Sequence, residues 1–491
     1  MRSPSGLRRR QGGVETANKV LLVVTLGSVM AAVDSTIVTL AFPSIVEFLG
    51  SNFVGTIGII MSYLVVLAVF TTQFGRAGDI HGRARLFNLG FAVFTISSLL
   101  CGLAPTISFL IAARAAEGIG SALLVANSAA ILTDTFPRNR LGRTFGYITM
   151  AWNSGVFLGI ILGGTLTTLL GWRFIFLINI PIGVVGVFLG LRYLKDVNRV
   201  HVESDLEGMV LLGVALSIIS YSSVDLAASG LTYFNGLLLL GGFALVGVTL
   251  EHERRDQNPM INLRAFANRV LRYSLMAAFL QNVAVLAIAL LLMTYLQGIR
   301  GLSPLDASLL LLPSSIMNIV LAPFTGRMTD RFGSRTIATA GLGCIGVSTA
   351  LLLTVGLTSQ YYLVALSMAV SGIGGAMFFP ANNSAVMANA ARDSYGVVSG
   401  LLRTLQNIGT LGSYVLAISV LSLALPRSVA YQVFIGTTEM LGGLTSSYIQ
   451  GFHAALEVSL VILAVAGLMS YVRGTDIRDS LSTGGPSGSS T

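Results

Sequence analysis

The sequence GRAGDIHGR at residues 75–83 recurs in altered form as GRMTDRFGSR at residues 326–335, 251 residues further along the chain. Both stretches follow the pattern G-R-x-x-D-x-x-G. Each lies between two long apolar runs, where a short turn between antiparallel helices needs glycine. Such a repeat is typical of membrane proteins that are built from two copies of one helical unit.

Glycines elsewhere in the chain support the same repeat. Two further matches share an offset of 254 residues: Gly142 and Gly146 with Gly396 and Gly400, and GIG at 118–120 with GIG at 372–374. Three matches at nearly one offset are hard to attribute to chance. We predict two six-helix bundles of the same orientation, at residues 19–200 and 257–473, with two inserted helices at 201–256.

The composition indicates that lipid is the solvent for most of the chain. Of its 491 residues, 54% are apolar and only 10% are charged, with a mean hydropathy of +0.80, whereas soluble domains carry about 25% charge. A helix that crosses the bilayer needs about 20 apolar residues. Fourteen such runs begin near Lys19, Val54, Leu86, Ile107, Thr144, Phe174, Leu206, Leu231, Leu271, Leu305, Thr336, Tyr361, Val397 and Phe452. The predicted fold is therefore an all-α membrane protein with fourteen transmembrane helices.

The basic residues indicate the orientation. If the N-terminus is cytoplasmic, 25 of the 30 Lys and Arg residues fall on cytoplasmic loops or tails. Arg114 and Arg403 fall within spans, and only Arg173, Arg300 and Arg427 fall outside. This bias follows the positive-inside rule. We predict a multi-pass protein of the cell (inner) membrane with both termini in the cytoplasm, as polar, disordered tails at 1–18 and 474–491.

Several function classes are not supported by the sequence. The net charge of +9 is explained by membrane topology, so we expect no nucleic-acid partner. Cys101 and Cys344 lie in apolar runs, which favours buried thiols over a disulfide or a metal site. Lys19 and Lys195 are followed by Val20 and Asp196, so a phosphate-binding loop of the form GxxxxGK[ST] is absent. The sequence therefore predicts no enzyme and no cofactor, and an ion gradient as the energy source; the resemblance described next implies that the ion is the proton.

These residues resemble the major facilitator superfamily, and within it the fourteen-span drug:proton antiporters. The loop around Asp79 is similar to the signature loop of that superfamily, and residues 34–43 are similar to the first-span signature of the antiporters. Residues 114–120 resemble the pattern R-x-x-Q-G-x-G, with Glu117 in place of glutamine. Four further stretches look specific to the fourteen-span branch: residues 172–181, Asp205 with Gly208, residues 259–266 and residues 295–304.

One departure from the resemblance concerns the direction of transport. The fifth-span signature of the antiporters expects Gly-Pro within a series of glycines, but Ile160 stands at the proline position. The glycines themselves are Gly155, Gly159, Gly163 and Gly164. Small residues let two membrane helices approach closely, so we expect this face to pack against a neighbouring helix.

An ionisable group within a span is a functional candidate by default. Asp34 lies 15 residues after Lys19, about 22 Å from the cytoplasmic end. Arg114 lies 7 residues after Ile107 in a span of opposite direction, about 10 Å from the outer end. The two side chains are therefore expected at one depth. We predict that Asp34 binds the coupling proton or a cationic substrate and that Arg114 modulates it; the alternative is a static buried ion pair.

Two further carboxylates are candidates. Glu117 lies one helical turn from Arg114, near the bilayer midplane, where it suits a lipophilic cation; the alternative is a protonated Glu that bonds a neighbouring helix. Glu457 lies one turn from His453 in the last span, as a second proton site or as an interfacial pair. Arg403 lies about 9 Å inside the start of its span, within reach of the interface.

The resemblance implies a conformational latch in the first repeated loop. Asp can bind the N-terminus of a helix, where the helix dipole favours negative charge, and in the family this helix is the one that opens at Gly396. The predicted latch residues are Gly75, Asp79, Gly82 and Arg83, with Gly326, Asp330, Gly333 and Arg335 as their counterparts. The alternative for both loops is turn formation and topogenic charge alone.

Together, these features predict a proton-coupled secondary transporter that exports amphipathic or cationic compounds by alternating access. Its partners would be a small molecule, protons and the lipid bilayer, and we expect a monomer. Export of a lipid or a metabolite is an alternative, and so is a non-transporting membrane sensor of the same fold. The persistence of Asp34, Arg114 and both Asp-Gly loops argues against the sensor.

Overall fold

The structure is a computed structural model that describes residues 4–50, 53–196, 205–229, 232–256, 267–302, 304–391, 394–424 and 445–474. These residues form helices and turns, and the described part contains no strand. The helices are α1 Pro4–Leu49, α2 Phe53–His81, α3 Arg83–Gly102, α4 Ile107–Thr135, α5 Leu141–Leu169, α6 Phe174–Leu177, α7 Asn179–Tyr193, α8 Leu206–Ser229, α9 Tyr233–Arg255, α10 Arg269–Thr294, α11 Pro304–Phe332, α12 Ser334–Leu352, α13 Tyr361–Ala388, α14 Tyr395–Ala424 and α15 Thr445–Val472. The predicted all-α class is confirmed.

Ten stretches of the described residues are long and apolar enough to cross a membrane. They include Thr16–Val38 in α1, Ile107–Thr135, Tyr361–Ala388 and Ser446–Val472. The other predicted spans coincide with long helices, among them α2, α10 and α14. The predicted start at Leu231 lies just outside the described residues, and α9 begins at Tyr233.

The N-terminal tail differs from the prediction. α1 begins at Pro4, so the segment that was expected to be disordered continues the first membrane helix. Once an apolar span is helical, each added residue contributes a hydrogen bond without a new nucleus. The C-terminal tail lies outside the described residues beyond Gly474.

The repeated loops make the same turn in both halves. Gly82 separates α2 from α3 with φ +111°, and Gly333 separates α11 from α12 with φ +86°. Only glycine adopts such φ values readily. In each turn the glycine N–H donates to a carbonyl four residues back, at 3.0 Å for Gly78 and 3.1 Å for Thr329.

The chain forms two compact units. Unit 1 comprises residues 1–205 and 390–404, and unit 2 comprises residues 206–389 and 405–491. The first turns of α14 therefore belong to unit 1, although the sequence placed them in the C-terminal bundle. The reason is local, because Gly396 and Gly400 have no side chains and lie directly on the backbone of α2.

Glycine contacts hold the helices of unit 1 together. A Cβ at Gly118 of α4 would lie 2.9 Å from the Tyr63 carbonyl oxygen of α2. A Cβ at Gly120, on the neighbouring face, would lie 2.7 Å from Phe94 Cα of α3. Such distances leave room only for hydrogen, so these glycines fix how closely α4 approaches its neighbours.

Unit 2 repeats this packing at the corresponding positions. A Cβ at Gly372 of α13 would lie 2.8 Å from Ser314 Cα of α11, and a Cβ at Gly374 would lie 2.9 Å from the Ile345 backbone nitrogen of α12. Ser314 corresponds to Tyr63, and Ile345 to Phe94, at the offset of 251 residues that relates the two repeated loops. The two units therefore share one set of helix contacts.

The glycines of α5 face α1. Cβ atoms at Gly155 and Gly159 would lie 2.8 Å from the Val29 carbonyl oxygen and 2.7 Å from the Val33 carbonyl oxygen. Gly163 is buried, whereas the surroundings of Ile160 and Gly164 lie outside the described residues. The expected close packing of this face is thus observed at Gly155 and Gly159.

The inserted helices α8 and α9 pack against each other within unit 2. Gly242 of α9 lies against Ile219 of α8, and Ser222 Oγ donates to the Asn235 carbonyl at 2.6 Å. The start of α9 is fixed by a capping box between Thr232 and Asn235, which satisfies two backbone donors.

Candidate functional site

The centre of unit 1 contains an ion pair between α1 and α4. Arg114 Nη1 donates to Asp34 Oδ1 at 3.0 Å and to Asp34 Oδ2 at 2.8 Å. Asp34 is 0% exposed and Arg114 is 2% exposed. The structure thus brings together the two groups that the sequence placed at one depth.

Glu117 belongs to the same cluster. Its Oε2 accepts from Arg114 Nη1 at 2.6 Å, and the side chain is fully buried. Their i, i+3 spacing on α4 places both groups on one face of the helix. One guanidinium therefore contacts two carboxylates, and we call these three residues the charged cluster.

The charged cluster is unbalanced. If all three groups are ionised, Asp34 and Glu117 carry two negative charges against the one positive charge of Arg114. A buried charge without a counter-charge is costly, and the groups are expected to take up a proton or a cation instead. The composition of the cluster therefore favours one additional, exchangeable positive charge.

Arg114 also retains unused hydrogen-bonding capacity. All three of its short carboxylate contacts come from Nη1, while its Nε has no hydrogen-bond partner among the described residues. A guanidinium carries five N–H donors. Arg114 can therefore donate to a different acceptor when one of its carboxylates is neutralised.

Three neighbouring side chains enclose the charged cluster. The Tyr63 ring lies 4.4 Å from Arg114 Cζ, and its hydroxyl donates to Ser121 Oγ at 2.8 Å. The Phe176 ring lies 5.8 Å from Arg114 Cζ. Cys101, also buried, donates its thiol to Glu117 Oε2 at 3.5 Å. Aromatic faces stabilise a desolvated cation, which helps to retain Arg114 in an apolar bundle.

The sequence analysis did not assign a role to Tyr63 or to Cys101. Both are residue types that occur commonly in apolar spans, so the sequence around them carries no distinguishing signal. The helical rise alone places Tyr63 close to the depth of Gly118, because it follows Phe53, the start of α2, by 10 residues, or about 15 Å.

The first repeated loop holds a second buried ionic group. Asp79 is fully buried and accepts from the backbone nitrogens of Gly396 at 2.9 Å and Val397 at 3.0 Å. Arg83 Nη2 lies 2.6 Å from Asp79 Oδ1, and Arg83 also pairs with Asp134 of α4. The carboxylate thus caps the first turn of α14, as the helix dipole favours.

Two glycines make this contact sterically feasible. Gly75 and Gly396 meet backbone to backbone, so that a Cβ on either would collide with the other. Gly82 lies under the carboxylate of Asp196, which accepts from Ala84 N at 2.8 Å. Asp134 and Asp196 were not among the predicted latch residues. Both lie far along the chain from the first repeated loop, and no sequence pattern indicates that they contact it.

The second repeated loop is built differently. Asp330 is half-buried and Arg331 is exposed. Arg335 lies over the Tyr471 ring at 4.5 Å. Gly326 and Gly333 are buried, and Gly333 supplies the turn. The predicted counterpart residues thus share the turn geometry of the first loop but not its buried carboxylate.

Glu457 and His453 make separate contacts, and the role of Glu457 as a second proton site stays a prediction. Glu457 is exposed on α15 and has no ion pair with another described residue, while His453 Nε2 lies 2.8 Å from the Val355 carbonyl. Spacing of one turn places two side chains on one face but does not orient them, and here the imidazole contacts a backbone carbonyl. Arg403 is half-buried, with its guanidinium 5.9 Å from the Trp152 ring.

Two helical units related by a repeat are typical of membrane transporters, and a buried charged cluster lies inside one of them. The family model of the Major Facilitator Superfamily matches residues 24–413. The chain belongs to this superfamily and is therefore a multi-pass membrane transporter rather than an enzyme.

Three known proteins illustrate the similarity. The multidrug resistance protein Stp of Mycobacterium tuberculosis is 32% identical over 403 residues, which is 81% of this chain and 74% of Stp. The riboflavin transporter RibZ of Clostridioides difficile is 26% identical over 463 residues, 93% of this chain and 98% of RibZ. The crystal structure of the human organic anion transporter MFSD10 matches with a TM-score of 0.63 at 15% identity, over 91% of this chain and 99% of that one, which supports the fold.

Proposed function

We propose that the chain is a proton-coupled transporter of the fourteen-span antiporter type, which exports amphipathic or cationic compounds from the cytoplasm by alternating access. It would act as a monomer in the cell (inner) membrane, with both termini in the cytoplasm. The observation that carries this proposal is the charged cluster, in which Asp34 and Glu117 share one arginine.

The cluster suits exchange of a proton against a cation. With one carboxylate protonated, the cluster is neutral and does not need a further cation. When the proton leaves, the negative charge of the free carboxylate attracts a cationic substrate. Once that substrate is bound, the cluster is neutral again and no longer attracts a proton. Proton and substrate thus exclude each other, as antiport requires.

Arg114 would transmit the exchange to the helices. Protonation of Asp34 removes the main reason for its bidentate contact with Arg114, so the guanidinium can shift toward Glu117. Because Asp34 is on α1 and both other groups are on α4, this shift changes the attraction between two helices. Such a change can bias one packing over another.

The Asp79 contact would serve as the latch of this cycle. It joins the end of α2 to the first turn of α14 through two backbone donors. A change of conformation that moved α14 from α2 would have to break both bonds. The second loop, in which Asp330 is half-buried, would contribute less.

Export as the direction is supported by the name of Stp, a multidrug resistance protein. Ile160, at the position where the antiporter signature has proline, is the feature of this chain that fits export least well. Export of a metabolite is a second candidate function, favoured by the likeness to the riboflavin transporter RibZ.

Transport in inverted membrane vesicles tests the proposal. A pH-sensitive dye reports the proton gradient while cationic and neutral compounds are added one at a time. We expect cationic compounds to dissipate the gradient with the wild-type chain. Asp34→Asn and Glu117→Gln should each reduce this dissipation at least about tenfold, because each leaves the cluster balanced without a proton.

Glu251→Gln is the matched control. Glu251 is an exposed carboxylate at the end of α9 that pairs with Arg255 at 2.7 Å, so the same loss of charge should leave transport unchanged. Wild-type vesicles in which no compound dissipates the gradient would contradict proton antiport. Dissipation by riboflavin-like neutral compounds alone would favour the metabolite exporter.

A further inference from the structure

The two carboxylates of the charged cluster differ in how their oxygens are used. Both oxygens of Asp34 accept from Arg114, at 3.0 and 2.8 Å. Glu117 accepts from the same guanidinium through Oε2 alone, at 2.6 Å. Its Oε1 is buried and has no hydrogen-bond partner among the described residues. The cluster therefore contains one carboxylate that is bonded at both oxygens and one that is bonded at a single oxygen.

This asymmetry indicates where a proton lies. An ionised carboxylate accepts at both oxygens, whereas a protonated one carries a hydrogen on one of them. A buried acceptor without a donor costs about 1–3 kcal/mol, and more if it is charged. A hydrogen on Glu117 Oε1 turns that oxygen into a donor and removes the cost. The contacts thus fit an ionised Asp34 beside a protonated Glu117.

A proton on Oε1 needs an acceptor, and α3 provides a hydroxyl at this place. The Cys101 thiol contacts Glu117 at 3.5 Å. Ser98 lies one helical turn before Cys101, so both side chains are on one face of α3. Ser98 is fully buried, and its side chain lies within hydrogen-bonding reach of the Glu117 carboxyl.

The other bonds of Ser98 decide which role its hydroxyl can take. Ser98 Oγ donates to the Phe176 carbonyl at 3.0 Å and accepts from Asn179 Nδ2 at 3.0 Å. A hydroxyl has one hydrogen and two lone pairs. The hydrogen and one lone pair are therefore in use, and the remaining lone pair can only accept. Ser98 in this arrangement favours a Glu117 that donates, which is the protonated form.

Phe176 and Asn179 belong to residues 172–181, one of the stretches to which the sequence assigned no role in transport. Phe176 lies in α6, and Asn179 is the first residue of α7. Both are fully buried. Because only Ile178 separates the two helices, a carbonyl of the first and an amide of the second lie beside Ser98. This stretch thereby orients the hydroxyl from two sides.

The titratable and charged groups around Glu117 come from four helices. Arg114 is on α4 itself, Asp34 is on α1, Tyr63 is on α2 and Cys101 is on α3. Tyr63 and Cys101 are neutral in their ordinary protonation states. With Arg114 and Asp34 both charged, one proton on Glu117 makes the cluster neutral.

We propose that Glu117 carries the coupling proton on Oε1 in this conformation, and that Ser98 is a positioning residue that accepts the hydrogen bond of the protonated carboxyl. The inference rests on the proposed transport function and specifies which carboxylate holds the proton. Loss of this proton leaves a negative charge on Glu117 for the cationic substrate, while Asp34 keeps Arg114. Protonation of Asp34 belongs to the step in which Arg114 shifts toward Glu117.

Infrared spectroscopy of the purified full-length chain in lipid tests the assignment. A protonated carboxyl has a C=O stretching band apart from the bands of carboxylates and amides, and ¹³C in the side-chain carboxyl of glutamate moves only glutamate bands. Difference spectra between the wild type and Glu117→Gln are recorded over a range of pH, with and without this label. We expect one protonated-carboxyl band that the label moves and that disappears as the pH rises.

Ser98→Ala tests the positioning role. Without its acceptor the protonated carboxyl is less stable, so the band should be half lost at a pH about one unit lower, the equivalent of one hydrogen bond. Ser97→Ala is the matched control, since Ser97 is a buried serine on a different face of α3 and should leave this pH unchanged. A rise of this pH in Ser98→Ala would mean that Ser98 donates to an ionised Glu117, and an unchanged pH would mean that it only packs; either result overturns the positioning role.

The outcomes separate this inference from the proposed function. If the label does not move the band, the proton is on an aspartate, so the assignment to Glu117 is wrong while a protonated cluster remains supported. If the difference spectra contain no protonated-carboxyl band at any pH at which the chain is folded, the assignment and the proton-coupled function are both contradicted.

Discussion

Unit 1 and unit 2 share the same backbone contacts but carry different side chains beside them. At the offset of 254 residues that relates their glycines, Arg114 corresponds to Met368 and Glu117 to Ser371. Met368 is 7% exposed and packs among apolar side chains. One unit has thus placed a charged cluster where the other has ordinary core.

This difference separates what builds the fold from what performs the chemistry. Glycine is required at the helix crossings of both units, because any side chain would separate the helices there. The charged residues are required at none of these crossings, since unit 2 packs without them. Their cost in unit 1 is therefore best explained by a function in transport.

The largest expected effect comes from replacing Arg114 of unit 1 by methionine, the residue at the corresponding position of unit 2. Arg114→Met leaves Asp34 and Glu117 buried without their cation. Breaking a buried ion pair from one side costs about 3–5 kcal/mol, and we expect a loss of this order in the free energy of unfolding. Thermal unfolding of the purified protein in detergent measures it.

The triple variant Asp34→Asn/Arg114→Met/Glu117→Ser is the control for this experiment. It removes the carboxylates together with the arginine, so most of the stability should return, while proton-coupled transport should remain absent. If Arg114→Met were as stable as the wild type, the arginine would not be energetically coupled to the two carboxylates.

The two repeated loops allow a second comparison with a smaller effect. Asp79→Asn removes the charge that caps α14 and pairs with Arg83. Because hydrogen bonds to charged groups contribute about 1.5–3 kcal/mol, we expect a loss of this order in the free energy of unfolding. Asp330→Asn changes a carboxylate that is half-buried rather than fully buried, for which we expect a smaller loss of stability. Unfolding temperatures and transport rates of both variants are compared, and equal effects would contradict the assignment of the latch to the first loop.

The sequence predicted those features that depend on regular helical geometry. The rise per residue is fixed, so counting from Lys19 and Ile107 was sufficient to place Asp34 at the depth of Arg114. The glycine repeat is equally regular, and it indicated that the two halves share one helical unit.

Features that depend on side-chain orientation were not predictable in this way. His453 contacts the carbonyl of Val355, in the segment after α12, and the spacing of His453 from Glu457 gave no indication of this contact. Asp134 and Asp196 join the first loop from distant parts of the chain, and no spacing rule relates them to Gly82.

Cys101 provides the smallest test, at the margin of the charged cluster. Its thiol is a weak donor to Glu117 Oε2 at 3.5 Å, so Cys101→Ala should change the free energy of unfolding by about 1 kcal/mol or less. Cys101→Ser keeps a donor at the same place and should transport as the wild type does. Cys344→Ala, at the half-buried cysteine of α12, shows the effect of losing a thiol elsewhere in the bundle. If Cys101→Ala abolished proton coupling as completely as Glu117→Gln while Cys101→Ser preserved it, the thiol would have to be counted as part of the coupling site. A loss confined to stability would instead assign the thiol to packing.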